Sequence, residues 1–228
     1  MSLKYKCLIL DHDDTIVDSS ATVHYPAYLE TMANLRSESK PVDLDGWFLK
    51  NFHPGILEYL TGELGFSPAE LEEEYRVWRS YSSTRQPHFY PGVVDFLAEY
   101  QKQGGRIAVV SHSERDIIER DYRSVSADPS HPVLQVPELI FGWEMPEDKR
   151  KPAPWPVLET LRVYGITPEE ALVLDDLKPA VVMARAAGVP VAGAGWGHNI
   201  REIVDYMKEN CNHYFSTVTE LRRLIFLS

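Results

Sequence analysis

The chain has 228 residues, 44% of them hydrophobic, with 23 basic against 34 acidic side chains for a formal charge of −11. That length supports a substantial core without disulfide or metal staples, and the composition excludes a disordered chain. The acidic balance repels phosphate backbones and anionic lipid, so nucleic acid and membrane surfaces are disfavoured as partners, and any anionic substrate has to be captured locally.

The N-terminal run MSLKYKCLILDHDD reaches acidic residues too early for a signal-peptide apolar region. No stretch approaches the roughly 20 uncharged apolar residues of a membrane helix. Cys7 and Cys211 are the only cysteines, and Cys7 sits inside an apolar run, so no disulfide framework is expected and the reading is a cytoplasmic protein. Continuous apolar runs at residues 7–10, 107–110, 139–141 and 171–174 read as strands buried on both faces.

From residue 19 to residue 87 the chain contains helix-like segments (HYPAYLETMANL, PGILEYLTGEL, PAELEEEYRVWRSY) and no strand pattern. This predicts a helical cap, residues 19–87, inserted into a core of residues 1–18 and 88–228. Within it the run Glu72, Glu73, Glu74 reads as a solvated helix face, and Tyr75, Trp78 and Tyr81 read as helix-spaced core aromatics, with contact to an organic leaving group as the alternative. Beyond it, Val93, Phe96, Leu97 and Tyr100 mark a helical stripe that stops at Gly104 and Gly105. Residues 128–132 read as a surface loop. Further helices are predicted from Pro154 to a stop at Gly165, from Pro179 to a stop at Gly188, and from about Asn199 to Met207. Between the last two lies an apolar run at 189–192, and a short Tyr214, Phe215 segment precedes a final helix starting at Thr217. Ser67 with Glu70, Thr167 with Glu170 and Thr217 with Glu220 have capping-box spacing. Strand alternating with helix predicts an α/β fold with a parallel sheet covered on both faces.

In an open parallel sheet, ligands bind at the carboxyl ends of the strands. The residues just past the apolar runs are Asp11 and Asp13, Ser111, and Asp175 and Asp176. Carboxylates gathered at one sheet edge call for a cation, and hard oxygen ligands with room for water and phosphate favour magnesium. Of Asp11 and Asp13, one carboxylate can attack phosphorus while the other handles the proton. A hydroxyl at Ser111 and an ammonium group can hold the remaining phosphoryl oxygens, and Lys151, ahead of the turn Pro152, Ala153, Pro154, is the candidate.

The run LILDHDDTIVDS resembles the first motif of the haloacid dehalogenase superfamily, D-x-D-x-[TV] after an apolar strand. IAVVSHS resembles the second, KPAPWPVLETL the third and VLDDLKPAVVMARAAGV the fourth, and FYPGVVDFLAEYQKQGGRIAVVSHS is similar to the stretch through the second motif in phosphoglycolate-phosphatase-like members. Order and spacing match over nearly the whole chain outside the cap. The resemblance implies a Rossmann-like, three-layer α/β/α core with an inserted helical cap, as in the phosphoglycolate phosphatase and β-phosphoglucomutase branch.

It further implies that Asp11 is nucleophile and metal ligand, and that Asp13 is general acid/base and ligates Mg²⁺ through its backbone carbonyl. Ser111 and Lys151 would bind the phosphoryl group, and Asp176 would ligate the metal with Asp175 as a second ligand or its neighbour. Asp14 stands where many capped members carry Gly, and Ala180 where a second acidic residue is frequent. His112 and His24 are further substrate-binding candidates, whereas His198 reads as an ordinary loop residue. The implied activity is a Mg²⁺-dependent phosphatase acting on a small phosphorylated metabolite, as a monomer or homodimer. The alternatives are a phosphomutase, a carbon–halogen or carbon–phosphorus hydrolase, and a non-catalytic phosphate-binding regulator. A carboxylate at Asp13 argues against halide departure, which needs no general acid, and Lys40 and Lys50 are the only cap lysines, neither placed for Schiff-base chemistry.

Overall fold

The computed structural model describes residues 2–128 and 130–227. In chain order, Ser2–Leu3 (β1) and Cys7–Leu10 (β2) precede a block of helices, Tyr25–Leu35 (α1), Leu44–Phe52 (α2), Ile56–Glu58 (α3) and Pro68–Thr84 (α4). An alternation follows: Val93–Lys102 (α5), Arg106–Val110 (β3), Arg115–Ala127 (α6), Leu139–Phe141 (β4), Trp155–Tyr164 (α7), Ala171–Asp175 (β5) and Lys178–Ala187 (α8). It ends with Val191–Ala194 (β6), Arg201–Asn210 (α9), His213–Phe215 (β7), Val218–Ile225 (α10) and Phe226–Leu227 (β8). The chain divides into two compact units, a larger one built from residues up to Val17 and from Phe89 onward, and a smaller one of Asp18–His88.

The larger unit is an α/β fold around a six-stranded sheet in the order β4-β3-β2-β5-β6-β7, with every neighbouring pair parallel. All of β2 and β5 is buried, which is why those strands read as unbroken apolar runs. Leu8, Leu10, Ile107, Val109, Leu172 and Leu174 pack with side chains of α5, α6 and α10 in one apolar cluster, while α7, α8 and α9 pack against one another in sequence. Strand order reverses at β2, whose neighbours β3 and β5 lie on opposite sides, so a crevice opens at the carboxyl ends of these three strands. The chain leaves this unit after Val17 and returns at Phe89, and these two residues pair in an antiparallel bridge.

The smaller unit is helical. Its core joins Tyr28, Met32, Trp47, Tyr59, Leu60 and Phe66, with the Tyr28 and Tyr59 hydroxyls 2.9 Å apart. Ser67 and Glu70 form the expected capping box at the start of α4. Glu73 pairs with Arg76 as a solvated residue would, but Glu74 is half-buried and burial pushes its carboxyl up to about 7, so the acidic run is not uniformly solvated.

Several elements depart from the sequence expectations. Helices α2 and α6 form where no helix was predicted, and the short termini β1 and β8 pair antiparallel. The apolar run at 189–192 becomes strand only from Val191, after Val189 donates its N–H to the Ala184 carbonyl and Pro190 offers none. Thr167 and Glu170 form their capping box on a single 3-10 turn, Pro168–Glu170. At α10 the Glu220 carboxylate accepts from the Ser216 N–H, while Thr217 caps Glu220. Of the predicted loop at 128–132, Pro129 lies outside the described residues, and the rest is non-helical.

Candidate functional site

The loop after β2 carries the first motif. Asp11 donates its N–H to the Leu174 carbonyl, and the His12 carbonyl then accepts from both Ile16 and Val17, closing a tight turn. Asp14 stands in this turn at φ 57°, a left-handed backbone that explains why glycine suits this position. The Trp196 indole donates to the Thr15 carbonyl at 2.9 Å, and Gly197 lies so close to the turn that an added Cβ would sit 2.2 Å from the Asp14 carbonyl oxygen. Only glycine fits there.

At the end of β3, Ser111 donates its hydroxyl to Asp13 Oδ2 at 2.8 Å and accepts the Ser113 N–H at 2.9 Å. Lys151 follows a short turn, Glu147–Lys149, and its buried ammonium donates to Asp11 Oδ1 at 2.9 Å and to Asp175 Oδ2 at 2.8 Å. Asp175 ends β5, and its Oδ1 also accepts the Leu177 N–H at 2.8 Å. Asp176 Oδ1 accepts from the Thr15 hydroxyl at 3.2 Å, while its Oδ2 is buried without a hydrogen bond, 3.4 Å from His198 Nε2.

The structure therefore brings Asp11, Asp13, Ser111, Lys151, Asp175 and Asp176 to the carboxyl ends of β2, β3 and β5. His112 joins them at the side: its Nε2 donates to the Lys151 carbonyl at 2.9 Å and its ring meets Trp143 edge-on. Arg150 lies over Trp143 with 4.0 Å from guanidinium to ring centre. His24 belongs to the smaller unit, where its Nδ1 accepts the Trp78 indole N–H at 2.9 Å.

Charge is concentrated here at the expense of solvation. Burial, then Asp175, Asp176 and Asp13, push the Asp11 carboxyl well above the ordinary range against the opposing pull of Lys151. Burial likewise pushes Asp175 up to about 6. Burial disfavours the Lys151 ammonium, but Asp11 and Asp175 outweigh it and hold the lysine charged. Burial and Lys151 bring His112 down to about 4, so its imidazole is neutral at physiological pH. For His198, burial is outweighed by Asp176 and Asp14, which raise it.

Asp11, Asp175 and Asp176 each offer an oxygen within 4.8 Å of the others, all buried. One lysine for three buried carboxylates leaves excess negative charge, and the Asp176 Oδ2 orphan leaves a lone pair unsatisfied. An all-oxygen donor set with these properties fits a hard divalent cation. Three features are not legible in the sequence: the Thr15 bond to Asp176, the approach of His198 to Asp176, and a buried partner for His12. Thr15 stood in the quoted first motif, but spacing alone does not show which oxygen it reaches.

A model of haloacid dehalogenase-like hydrolases matches residues 8–194. The chain is 25% identical over 235 residues to a phosphoglycolate phosphatase of Nitrosococcus oceani, covering 96% of this chain and 95% of that one. It is 27% identical over 206 residues to a phosphoglycolate phosphatase of Thiobacillus denitrificans, covering 86% of each. A HAD family hydrolase from Deinococcus radiodurans, solved with bound phosphate and sodium, shares the fold at a TM-score of 0.69 with 18% identity and full coverage (100%) of both chains.

Proposed function

Since the chain belongs to the haloacid dehalogenase-like hydrolase family, we propose that it is a Mg²⁺-dependent phosphatase of small phosphate monoesters, working through an aspartyl-phosphate at Asp11. The observation that carries this reading is the Lys151 ammonium shared between Asp11 and Asp175 within a buried group of three carboxylates. A lysine so placed holds the Asp11 carboxylate in one orientation and offers positive charge to an arriving phosphoryl group.

In this reading an Asp11 oxygen attacks phosphorus, the bond from phosphorus to the ester oxygen breaks, and Asp13 gives its proton to the departing oxygen. Water then attacks the acyl phosphate while Asp13 takes its proton, which releases phosphate and restores both carboxyl groups. Ser111, bonded to Asp13 at 2.8 Å, holds that carboxyl toward the site and offers its hydroxyl to a phosphoryl oxygen once substrate arrives. Asp11, Asp176 and the Asp13 backbone carbonyl are assigned to the cation. Asp175, with both oxygens engaged by Lys151 and the Leu177 N–H, holds Lys151 and adds charge beside it. Bound Mg²⁺ supplies charge that keeps the carboxylates ionised and polarises the phosphoryl group.

The two phosphoglycolate phosphatases that align along most of their length make a small phosphorylated carboxylate the first substrate to try. The test is hydrolysis of an aryl phosphate, then of a panel of phosphoglycolate, sugar phosphates and nucleotides, with magnesium. Wild-type turnover that survives in Asp11→Asn would refute the nucleophile.

A further inference from the structure

Along the extended segment after β2, side chains alternate in direction. Asp11 meets Lys151 and Asp13 meets Ser111, whereas His12 between them turns away, toward α6. There its ring is 1% exposed, and Nε2 donates to Oδ2 of Asp121, itself 0% exposed, at 3.2 Å. The other Asp121 oxygen accepts from Arg120 Nε at 3.0 Å and Nη2 at 2.7 Å, and Tyr122 lies 6.0 Å away, ring centre to ring centre. On the backbone side, the His12 carbonyl is the acceptor that closes the turn through Ile16 and Val17.

A buried hydrogen bond between two side chains is a poor source of net stability, because replacing both partners by apolar groups of the same shape is close to neutral. What a pair adds over a greasy contact is direction. A hydrogen bond of fixed length between His12 and α6 fixes the rotation of the segment about its own axis, and that rotation sets where the carboxylates on either side of His12 stand.

We propose that His12 and Asp121 are positioning residues that lock the Asp11–Asp13 segment in its productive orientation from behind the site. The inference rests on the phosphatase reading above for its kinetic readout, but not for its binding readout. The variants are His12→Leu, which keeps bulk and loses the donor, and His12→Gln, whose amide nitrogen reaches near the place of imidazole Nε2. Each is compared with wild type for kcat and KM on an aryl phosphate, for Mg²⁺ affinity by calorimetry, and for urea unfolding.

His12→Leu is expected to lower kcat by about 10- to 100-fold with KM nearly unchanged, the size of effect a displacement of about 1 Å produces. It should also weaken Mg²⁺ binding, and His12→Gln should recover most of both losses. If His12→Leu does not fold, the double variant His12→Leu with Asp121→Leu, which leaves neither partner buried alone, is read in the same way. A folded His12→Leu or double variant with wild-type kcat and Mg²⁺ affinity overturns the inference, as does a His12→Gln no better than His12→Leu. Failure of the wild type to hydrolyse any phosphate ester would instead overturn the phosphatase reading, and the Mg²⁺ affinities would still decide the role of His12.

Discussion

Removing the Lys151 ammonium would leave Asp11 and Asp175 facing each other in a buried site with nothing to balance them. Loss of one partner from such a group costs about 3–5 kcal/mol when the remaining charge cannot escape. Lys151→Met is therefore expected to lower unfolding stability in metal-free buffer at neutral pH, measured by urea titration. Much of the loss should return at acid pH, where the carboxyl groups are neutral. Activity should be lost even where the fold survives. Gly197→Ala forces a methyl group against the Asp14 carbonyl and should displace the turn that carries Asp13, lowering kcat more than stability, as paired steady-state kinetics and urea titration would read. The site residues were legible because functional side chains of a parallel sheet follow directly on its strands, so Asp11, Ser111 and Asp175 could be collected without knowing the fold. Partners such as Thr15, His12 with Asp121, and His198 were not, because each is brought in by a turn or helix whose direction is a tertiary result.

Among the elements, α4 begins with a complete capping box, Ser67 accepting from Glu70 and Glu70 from Ser67. Ser67→Ala removes the acceptor of the Glu70 N–H and is expected to cost about 1 kcal/mol of stability, read from a urea midpoint, with kcat unaffected. Helices closed by such local signals could be read from the sequence, as could α8, where Gly188 takes up the left-handed conformation at φ 71° that ends it. Strands β2 and β5 were readable because burial on both faces leaves no polar alternation. Helix α6 was not. Six of the residues in RDIIERDYRSVSA are charged, and that obscures an apolar face of Ile117, Ile118, Tyr122 and Val125. Asp121 lies on that buried face, a carboxylate where the helical period calls for an apolar residue, and its meaning emerges only beside His12.

For the whole molecule, the formal charge of −11 divides into a solvated majority and a buried group that works against folding. With Asp175 raised from 3.8 to about 6, and Asp11 raised also, the folded state holds these protons more tightly than the unfolded chain does. The contribution of Asp175 to stability is present below the ordinary carboxylate range and is lost as pH rises through about 6, and that of Asp11 is lost in the same direction. Magnesium should reverse that loss, so the rise in Tm on adding Mg²⁺, and the fall on chelation, should grow between pH 4 and 7. No helix among the described residues is long and apolar enough to cross a membrane, which agrees with the absence of such a run in the sequence. The proposed function turns on phosphorylation of Asp11. The most direct measurement is acid-quenched rapid mixing with a labelled phosphate ester and magnesium, followed by peptide mapping. A transient, hydroxylamine-labile label is expected on the peptide containing Asp11, and none in Asp11→Asn. Turnover with no label on the protein, or label undiminished in that variant, would contradict it.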